Sequence, residues 1–192
     1  MIRMQNIIKR LFTIRHKIYN NYVKKQIGKV GVNFFVRKKF ILRNGKYIQI
    51  GDNFLGMSGT RIEAWDKYEE ESFSPEIVIG NNVSINMDCH IGAINKIVIG
   101  DNVLLGSRVF ISDHSHGQCI TNEIDIPPNH RKLFSKGPVI IEDNVWIGEG
   151  AAILSNVTVG YGSIIGANAV VTKNVPEKTV VGGCPARVIK KL

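Results

Sequence analysis

The chain has 192 residues, which is enough for one domain with a sizeable core. Its content of 44% hydrophobic and 21% charged residues is ordinary for a folded protein, but its net charge of +9 is strongly basic. The three cysteines, Cys89, Cys119 and Cys184, are odd in number and far apart, which argues against a disulfide framework or a zinc motif and favours a reducing, cytoplasmic setting. No apolar run approaches the roughly 20 residues that a membrane-spanning helix needs, and no signal peptide is visible.

The N-terminal quarter of the chain carries the basic charge. Residues 1–48 hold thirteen Lys and Arg and no acid, whereas the remainder holds twelve bases and sixteen acids. Residues 1–27 predict a basic amphipathic helix, because apolar side chains recur at spacings of three and four at Ile7, Leu11, Ile14, Ile18 and Tyr22. Two interpretations stay open: the apolar stripe packs on the protein or on a neighbouring subunit, or it lies on an anionic membrane surface. No nucleic-acid-binding fold accompanies the charge, so nucleic acid is not an expected partner.

The segment after this helix predicts a strand, a turn at Asn44 and Gly45, and a second strand. We therefore divide the chain into a basic helix and hairpin-like segment at 1–47, a body at 48–176 and a C-terminal tail at 177–192. The body is irregular at first, and the acidic cluster before Pro75 predicts a loop excursion.

The body contains a repeat. An aliphatic residue returns at every sixth position, and a small or short side chain follows four residues after each one. Neither the 3.6-residue period of a helix nor the two-residue period of a long strand gives this spacing. A six-residue period predicts short strands joined by tight bends, with the aliphatic residues of successive coils stacked in one internal column. The clearest run is Ile141, Ile147, Ile153, Val159, Ile165 and Val171.

The repeat fails between residues 112 and 137. This segment is polar and contains Pro127 and Pro128, and the chain returns to the column at Val139. A long irregular excursion from a regular scaffold costs ordering entropy and is commonly functional.

Four features in this order resemble one family: the hexapeptide column, the loop that opens with "DHSHG", the return through "VWIG" and the closing "CPARVI". They resemble the hexapeptide-repeat acetyltransferases of the galactoside/maltose branch, and most closely those that O-acetylate lipopolysaccharide O-antigen or capsular sugars. The resemblance covers about residues 48–192. It implies an all-β, left-handed parallel β-helix and a homotrimer with active sites between subunits. It also implies acetyl-CoA as co-substrate, a glycan or sugar acceptor, and no required metal.

The resemblance also assigns catalytic residues. His114 matches the family's catalytic histidine, and a histidine suits general-base removal of a proton from a sugar hydroxyl. His116 either orients the acceptor or braces the loop. Asp113 could steer an imidazole, but adjacent side chains diverge on an extended segment, so Asp113 is expected to form a turn. Asn86 matches an asparagine that positions the acceptor or polarises a carbonyl. Ile94 occupies a position that is acidic in galactoside-type members, which favours a different sugar here.

Other residues are expected at the cofactor. Trp146 lies between two inward residues, so its ring should face outward and line the acetyl and pantetheine channel, as the family's tryptophan does. Small residues would let backbone groups approach pantetheine closely, and two cations match family positions near the 3′-phosphate and adenine. The small residues and cations are Gly148, Ala151, Gly166, Ala167, Lys173 and Arg187.

Three alternatives stay open. An acetyltransferase of free sugars or small xenobiotics would share the same chemistry, although the basic N-terminal segment favours a lipid-linked glycan at the inner face of the cytoplasmic membrane. A zinc enzyme of the carbonic-anhydrase type is suggested by His90, His114 and His116, but its histidine spacing differs. A non-catalytic trimeric scaffold would not need an outward tryptophan beside a histidine loop.

Overall fold

The computed structural model describes residues 14–118 and 120–192, so residues 1–13 of the expected N-terminal helix, and Cys119, lie outside the described part. The helix, α1, covers residues 14–24 of that part, and three short 3-10 turns lie at Gly45–Tyr47, Thr121–Glu123 and Pro128–His130. The first twelve strands are β1 (Lys29–Val30), β2 (Phe35–Val36), β3 (Ile41–Arg43), β4 (Ile48–Ile50), β5 (Leu55–Gly56), β6 (Arg61–Ala64), β7 (Lys67–Tyr68), β8 (Glu71–Ser72), β9 (Glu76–Ile79), β10 (Ser84–Ile85), β11 (His90–Ala93) and β12 (Lys96–Ile99). The others are β13 (Leu104–Leu105), β14 (Phe110–Ser112), β15 (Ser115–His116), β16 (Leu133–Phe134), β17 (Val139–Ile141), β18 (Trp146–Ile147), β19 (Ala152–Ile153), β20 (Val157–Val159), β21 (Ile164–Ile165), β22 (Val170–Val171), β23 (Thr179–Gly182) and β24 (Arg187–Lys191).

Three sheets form the faces of a left-handed parallel β-helix, as expected. Sheet A has the order β1-β4-β9-β12-β17-β20, sheet B the order β2-β5-β10-β13-β18-β21-β23-β24, and sheet C the order β22-β19-β14-β11-β6-β3. The chain visits A, B and C in turn, which makes complete coils at 29–43, 48–64, 76–93, 96–112, 139–153 and 157–171, numbered 1 to 6. Corner AB follows each sheet A strand, corner BC each sheet B strand, and corner CA each sheet C strand.

The aliphatic repeat forms the core of this helix. The parallel register aligns Ile99 with Ile141 and Val159 on sheet A, and the corresponding inward residues of sheets B and C align in the same way. All six residues of the predicted run are at most 1% exposed. Burial of a complete Ile side chain contributes roughly 1.5–3 kcal/mol, so the stack is the main favourable term in folding.

Corner AB requires a left-handed backbone conformation, which asparagine adopts more readily than most residues. Asn53, Asn82 and Asn102 occupy this corner in successive coils, with φ between 56° and 57°. Their side-chain amides form a ladder in which Asn53 donates to Asn82 at 2.8 Å and Asn82 to Asn102 at 3.0 Å. The ladder fixes the turn and ties each coil to the next.

The hairpin expected around Asn44 and Gly45 is wrong. Strand β3 pairs with β6 on sheet C, while β4 pairs with β1 and β9 on sheet A, so the two strands flanking this turn belong to different faces. Asn44 has a φ of 51° and makes a coil corner. The β-helix therefore begins at Lys29 instead of near residue 48.

The C-terminal boundary also differs from the expected tail. Strand β23 continues sheet B by parallel pairing with β21, and β24 then folds back antiparallel on β23. Residues 179–191 thus close the end of the column.

Helix α1 caps the other end of the column. Val23 and Ile27 are buried, and the Tyr19 hydroxyl donates to the Phe40 carbonyl at 3.2 Å. The Asn20 amide both accepts from the Val36 N–H at 2.7 Å and donates to the Val36 carbonyl at 3.0 Å. These bonds satisfy backbone groups at the open edge of coil 1, which would otherwise lack a neighbouring strand.

The opposite side of α1 exposes an apolar stripe. Ile14, Ile18 and Tyr22 are 48%, 65% and 66% exposed, and Arg15 and Lys25 lie close to them in sequence. Within the described residues, no helix is long and apolar enough to cross a membrane.

Two excursions leave the column at corner CA. Residues 65–75 leave after coil 2, as expected, and contain the small antiparallel pair β7–β8. Residues 113–137 leave after coil 4 and contain the antiparallel pair β15–β16. The two excursions meet, because the Tyr68 hydroxyl donates to the Asn129 carbonyl at 2.6 Å and His130 pairs with Glu69 at 2.8 Å.

We predict that Asn20→Ala lowers the free energy of unfolding by about 1–3 kcal/mol, because it leaves both backbone groups of Val36 without their partner. Urea denaturation followed by circular dichroism measures the change. Gln26→Ala is the control, since this exposed side chain lies in the turn after α1 and, among the described residues, makes only a 3.4 Å bond to the Tyr22 carbonyl, and it should change stability by less than about 0.5 kcal/mol. Equal effects of the two variants would contradict the capping role of Asn20.

Candidate active site

A buried carboxylate holds the histidine of the 113–137 loop. Asp113 is fully buried at the end of the inward column of sheet C and accepts the backbone N–H groups of Ile94 and Asn95 at 2.9 and 2.8 Å. Its Oδ1 also lies 2.9 Å from Nδ1 of His114. Because a carboxylate only accepts, Nδ1 carries the proton and Nε2 keeps its lone pair, which is the tautomer that a general base needs.

This contact corrects the expectation that Asp113 forms a turn instead of steering the imidazole. Neighbouring side chains diverge along an extended strand, but the backbone bends at Asp113 and brings the His114 ring back to the carboxylate. Ser112 adds a hydroxyl that lies 3.3 Å from Nδ1 and accepts the His114 N–H at 3.2 Å. The pattern "SDH" contains all three residues, yet only the bend reveals their arrangement.

A partly polar hollow of about 360 Å³ opens beside His114. It lies at corner CA where the loop leaves and re-enters the column, and it combines hydroxyl, amide and ammonium groups with one leucine. This composition suits a ligand with both polar and apolar parts. The hollow is lined by Ser112, His114, Ser115, Lys136, Leu154, Ser155, Asn156 and Thr172.

His116 contacts the first excursion. Its ring lies edge-on to Tyr68 with centroids 5.4 Å apart, and the Tyr68 hydroxyl is 3.4 Å from its Nδ1. The side chain is exposed and has different neighbours from those of His114. Of the two roles left open for His116, this contact is the kind that bracing the loop requires.

Asn86 lies at corner BC, at the other end of sheet C from His114. Its amide donates to the Leu105 carbonyl of the next coil at 2.8 Å. One chain therefore does not bring Asn86 and His114 together.

The small residues expected at pantetheine also lie at or next to corner BC. Gly148 donates its N–H to the Ile165 carbonyl of the next coil, and a Cβ atom at position 148 would come within 2.6 Å of the Ala167 nitrogen. Ala151 is fully buried, whereas Ala167 is exposed. Coil stacking by itself thus accounts for Gly148, and Gly166 also donates to the coil after it.

The remaining predicted cofactor residues lie on sheet B and at the C-terminal end. Trp146 faces outward and is 51% exposed, as its position between inward residues predicted. Lys173 and Arg187 line one hollow of about 250 Å³ beside Val188. Two cations in one hollow suit the phosphates of a nucleotide.

The histidines named for a zinc alternative have separate partners. His90 Nε2 lies 2.9 Å from Glu63 and its Nδ1 3.0 Å from Arg61, while His116 contacts Tyr68. In residues 14–118 and 120–192 no group of three or more His, Cys, Asp or Glu side chains is arranged to hold a metal ion.

Comparison with known proteins decides the family. Residues 138–173 match the family described as bacterial transferase hexapeptide (six repeats), and residues 96–112 match the hexapeptide repeat of succinyl-transferase. The chain is 36% identical over 160 residues to the putative lipopolysaccharide biosynthesis O-acetyl transferase WbbJ of Escherichia coli K12, across 81% of this chain and 78% of WbbJ. The chain belongs to the hexapeptide-repeat acetyltransferase family. The predicted enzyme class is thereby confirmed: the protein is an acetyltransferase with acetyl-CoA as co-substrate.

One further acetyltransferase sequence and two solved acyltransferase structures are also similar to this chain. The galactoside O-acetyltransferase of Escherichia coli K12 is 36% identical over 126 residues, which cover 63% of this chain and 57% of that enzyme. A maltose O-acetyltransferase from Clostridium difficile 630 superposes with a TM-score of 0.58 at 32% identity, over 90% of this chain and 73% of that one. The S84A mutant of AntD, an N-acyltransferase from Bacillus cereus, shares the fold with a TM-score of 0.71 at 22% identity, over 89% and 87% of the two chains.

We predict that Asp113→Asn lowers kcat by about 10- to 1,000-fold, because the amide presents donors where His114, Ile94 and Asn95 need an acceptor and no longer fixes the imidazole tautomer. Steady-state kinetics with the acetyl-CoA concentration varied should leave the KM for acetyl-CoA within about threefold. Asp125→Asn, at an exposed position of the same loop, is the matched control and should retain full activity. A folded Asp113→Asn enzyme with unchanged kcat would exclude the orienting role.

Proposed function

We propose that this acetyltransferase transfers the acetyl group of acetyl-CoA to a hydroxyl of a sugar in a surface glycan or its precursor, with His114 as general base. The observation that carries this proposal is the Asp113–His114 pair, whose imidazole borders a partly polar hollow at corner CA. WbbJ and the galactoside and maltose enzymes are all named as O-acetyltransferases, which supports transfer to oxygen.

In the proposed reaction, Nε2 of His114 takes the hydroxyl proton as the oxygen attacks the thioester carbonyl carbon. Collapse of the tetrahedral species breaks the carbon–sulfur bond, and the imidazolium returns its proton to the departing sulfur. The products are the acetylated sugar and free CoA. Asp113 stabilises the imidazolium while it exists, because its carboxylate already accepts from Nδ1.

A transfer through Cys89 is less consistent with the structure. Cys89 is 1% exposed, and burial raises the pKa of its thiol to about 11. It therefore stays protonated at neutral pH and is inaccessible.

We also propose a homotrimer in which each site is shared by two copies. His114 lies at corner CA, whereas Trp146 and Asn86 lie on or beside corner BC at the other edge of sheet C. Because one β-helix holds these groups apart, a neighbouring copy is needed to place a tryptophan and an asparagine opposite the histidine. Lys173 and Arg187 would then hold the nucleotide phosphates of acetyl-CoA.

The second candidate function is acetylation of free sugars or small xenobiotics. The exposed stripe of α1 with its neighbouring cations favours a glycan carried on a membrane lipid. An enzyme that acts on free sugars does not need a membrane-binding surface. Incubation with radiolabelled acetyl-CoA and a panel of methyl glycosides, nucleotide sugars and purified polysaccharide distinguishes the two. Transfer confined to the methyl glycosides, which represent small sugar acceptors, would favour the second function.

We predict that His114→Ala lowers kcat by a factor on the order of 10² to 10⁴ while the affinity for CoA is nearly unchanged. Single-turnover kinetics and calorimetric CoA titration measure the two quantities. His130→Ala is the control, because His130 belongs to the same loop but pairs with Glu69 at its exposed surface. Activity retained in His114→Ala would remove this residue from the base role.

We further propose that the protein lies in the cytoplasm and binds the inner membrane face through α1. Ile18→Glu should reduce binding to vesicles of phosphatidylglycerol and phosphatidylcholine by at least about tenfold, and 0.5 M salt should also weaken it. Cosedimentation measures both effects. Ile124→Glu, which changes an equally exposed isoleucine of the 113–137 loop, is the control. Unchanged binding by Ile18→Glu would favour packing of this stripe on another protein surface.

A further inference from the structure

A second carboxylate–histidine pair lies on the outer face of sheet C, next to His114. Glu63 of β6 and His90 of β11 belong to adjacent strands, and Glu63 Oε2 lies 2.9 Å from His90 Nε2. On its other side, the His90 Nδ1 lies 3.0 Å from the Arg61 guanidinium. Because guanidinium only donates, Nδ1 accepts and Nε2 carries the proton that is donated to Glu63.

Gly92 brings this pair up to His114. Residue 92 is the outward neighbour of Glu63 in the sheet register, and a Cβ atom there would lie 3.4 Å from His90 Nε2 and 3.5 Å from His114 Cε1. Both imidazole rings therefore contact the same position, which has no side chain of its own. Burial lowers the pKa of His90, with Arg61 and His114 contributing in the same direction and Glu63 opposing. His90 is thus neutral at physiological pH and acts as a donor to Glu63.

The pair has unused hydrogen-bonding capacity. The Glu63 side chain is 13% exposed, and in the described part of the chain only its Oε2 has a hydrogen-bond donor. Oε1 reaches the surface, where it can accept a hydrogen bond from water or from a ligand hydroxyl. The Phe110 ring belongs to the next coil, and its centroid lies 5.5 Å from that of the His90 ring. Because Phe110 is 37% exposed, it offers an apolar face beside the polar groups.

We propose that Glu63, oriented by His90, is a specificity-determining residue that binds a hydroxyl of the acceptor sugar next to the one that is acetylated, with Phe110 under the apolar face of the ring. A pyranose has both parts that this surface fits: hydroxyls that donate to a carboxylate, and C–H groups that pack on an aromatic ring. Glu63 lies on the strand next to that of Gly92, and Gly92 is close to His114. A sugar ring bound by Glu63 therefore lies beside His114. The proposal rests on the proposed O-acetyltransferase function.

Glu63→Gln tests it, because the amide oxygen still accepts from His90 while the negative charge is lost. With a methyl hexopyranoside that the wild type acetylates as acceptor and acetyl-CoA as donor, the acceptor KM should rise by about 10- to 100-fold. The kcat and the KM for acetyl-CoA should stay within about twofold. Glu142→Gln is the matched control, since in the part of the chain that the structure describes its exposed carboxylate at corner AB accepts only from the Tyr161 N–H, at 2.7 Å, and it should leave all three constants unchanged.

An unchanged acceptor KM in a folded Glu63→Gln enzyme would overturn the proposal and leave the proposed function intact. A lower kcat together with a higher KM for acetyl-CoA would assign Glu63 a purely structural role. That result would also overturn the proposal. A wild-type enzyme that acetylates no glycoside, nucleotide sugar or polysaccharide would overturn the proposed function itself. Thermal melting of each variant confirms that the comparison is made between folded proteins.

Discussion

The parallel register between successive coils is the constraint on which the rest of the structure depends. Each strand bonds to the strand one coil away, so an inward aliphatic residue such as Ile147 must align with Leu105 and Ile165 on its two sides. The register leaves no freedom inside the column, and an insertion is possible only at a corner, where the strands are already interrupted. Both excursions leave at corner CA, so the candidate site around His114 lies at that corner.

Asp113 connects that register to the candidate site. It occupies an inward position, where coils 2 and 3 carry the buried Ala64 and Ala93, and its carboxylate accepts the N–H groups of Ile94 and Asn95 at the corner. The same carboxylate orients His114. The fold thereby fixes the imidazole through a group that it already needs for its own backbone, so the loop itself does not have to be rigid to position the histidine.

The sequence predicts the core better than the corners. The six-residue period identifies inward residues such as Ile153 correctly, because neither a helix nor one long strand produces this period. The hairpin predicted at Asn44 and Gly45 is wrong, since asparagine in a left-handed conformation is equally suited to a hairpin turn and to a coil corner. The contact between Asp113 and His114 depends on a backbone bend, and the pairing of Glu63 with His90 depends on coils 27 residues apart. Neither leaves a periodic signal in the sequence.

The order of the elements along the column places the proposed acceptor site and the proposed nucleotide-binding residues toward opposite ends. The two substrates can therefore approach His114 from different directions. Helix α1 caps coil 1, Glu63 and His90 belong to coils 2 and 3, and His114 follows coil 4, whereas Lys173 and Arg187 lie after coil 6. With a strand spacing of about 4.8 Å, the proposed acceptor site lies within roughly 10 Å of the coil that α1 covers. If α1 rests on a membrane, a lipid-linked sugar reaches His114 from the membrane side and acetyl-CoA enters from the aqueous side. Neither substrate then has to leave before the other binds, which favours direct transfer in a ternary complex over a covalent acetyl-enzyme.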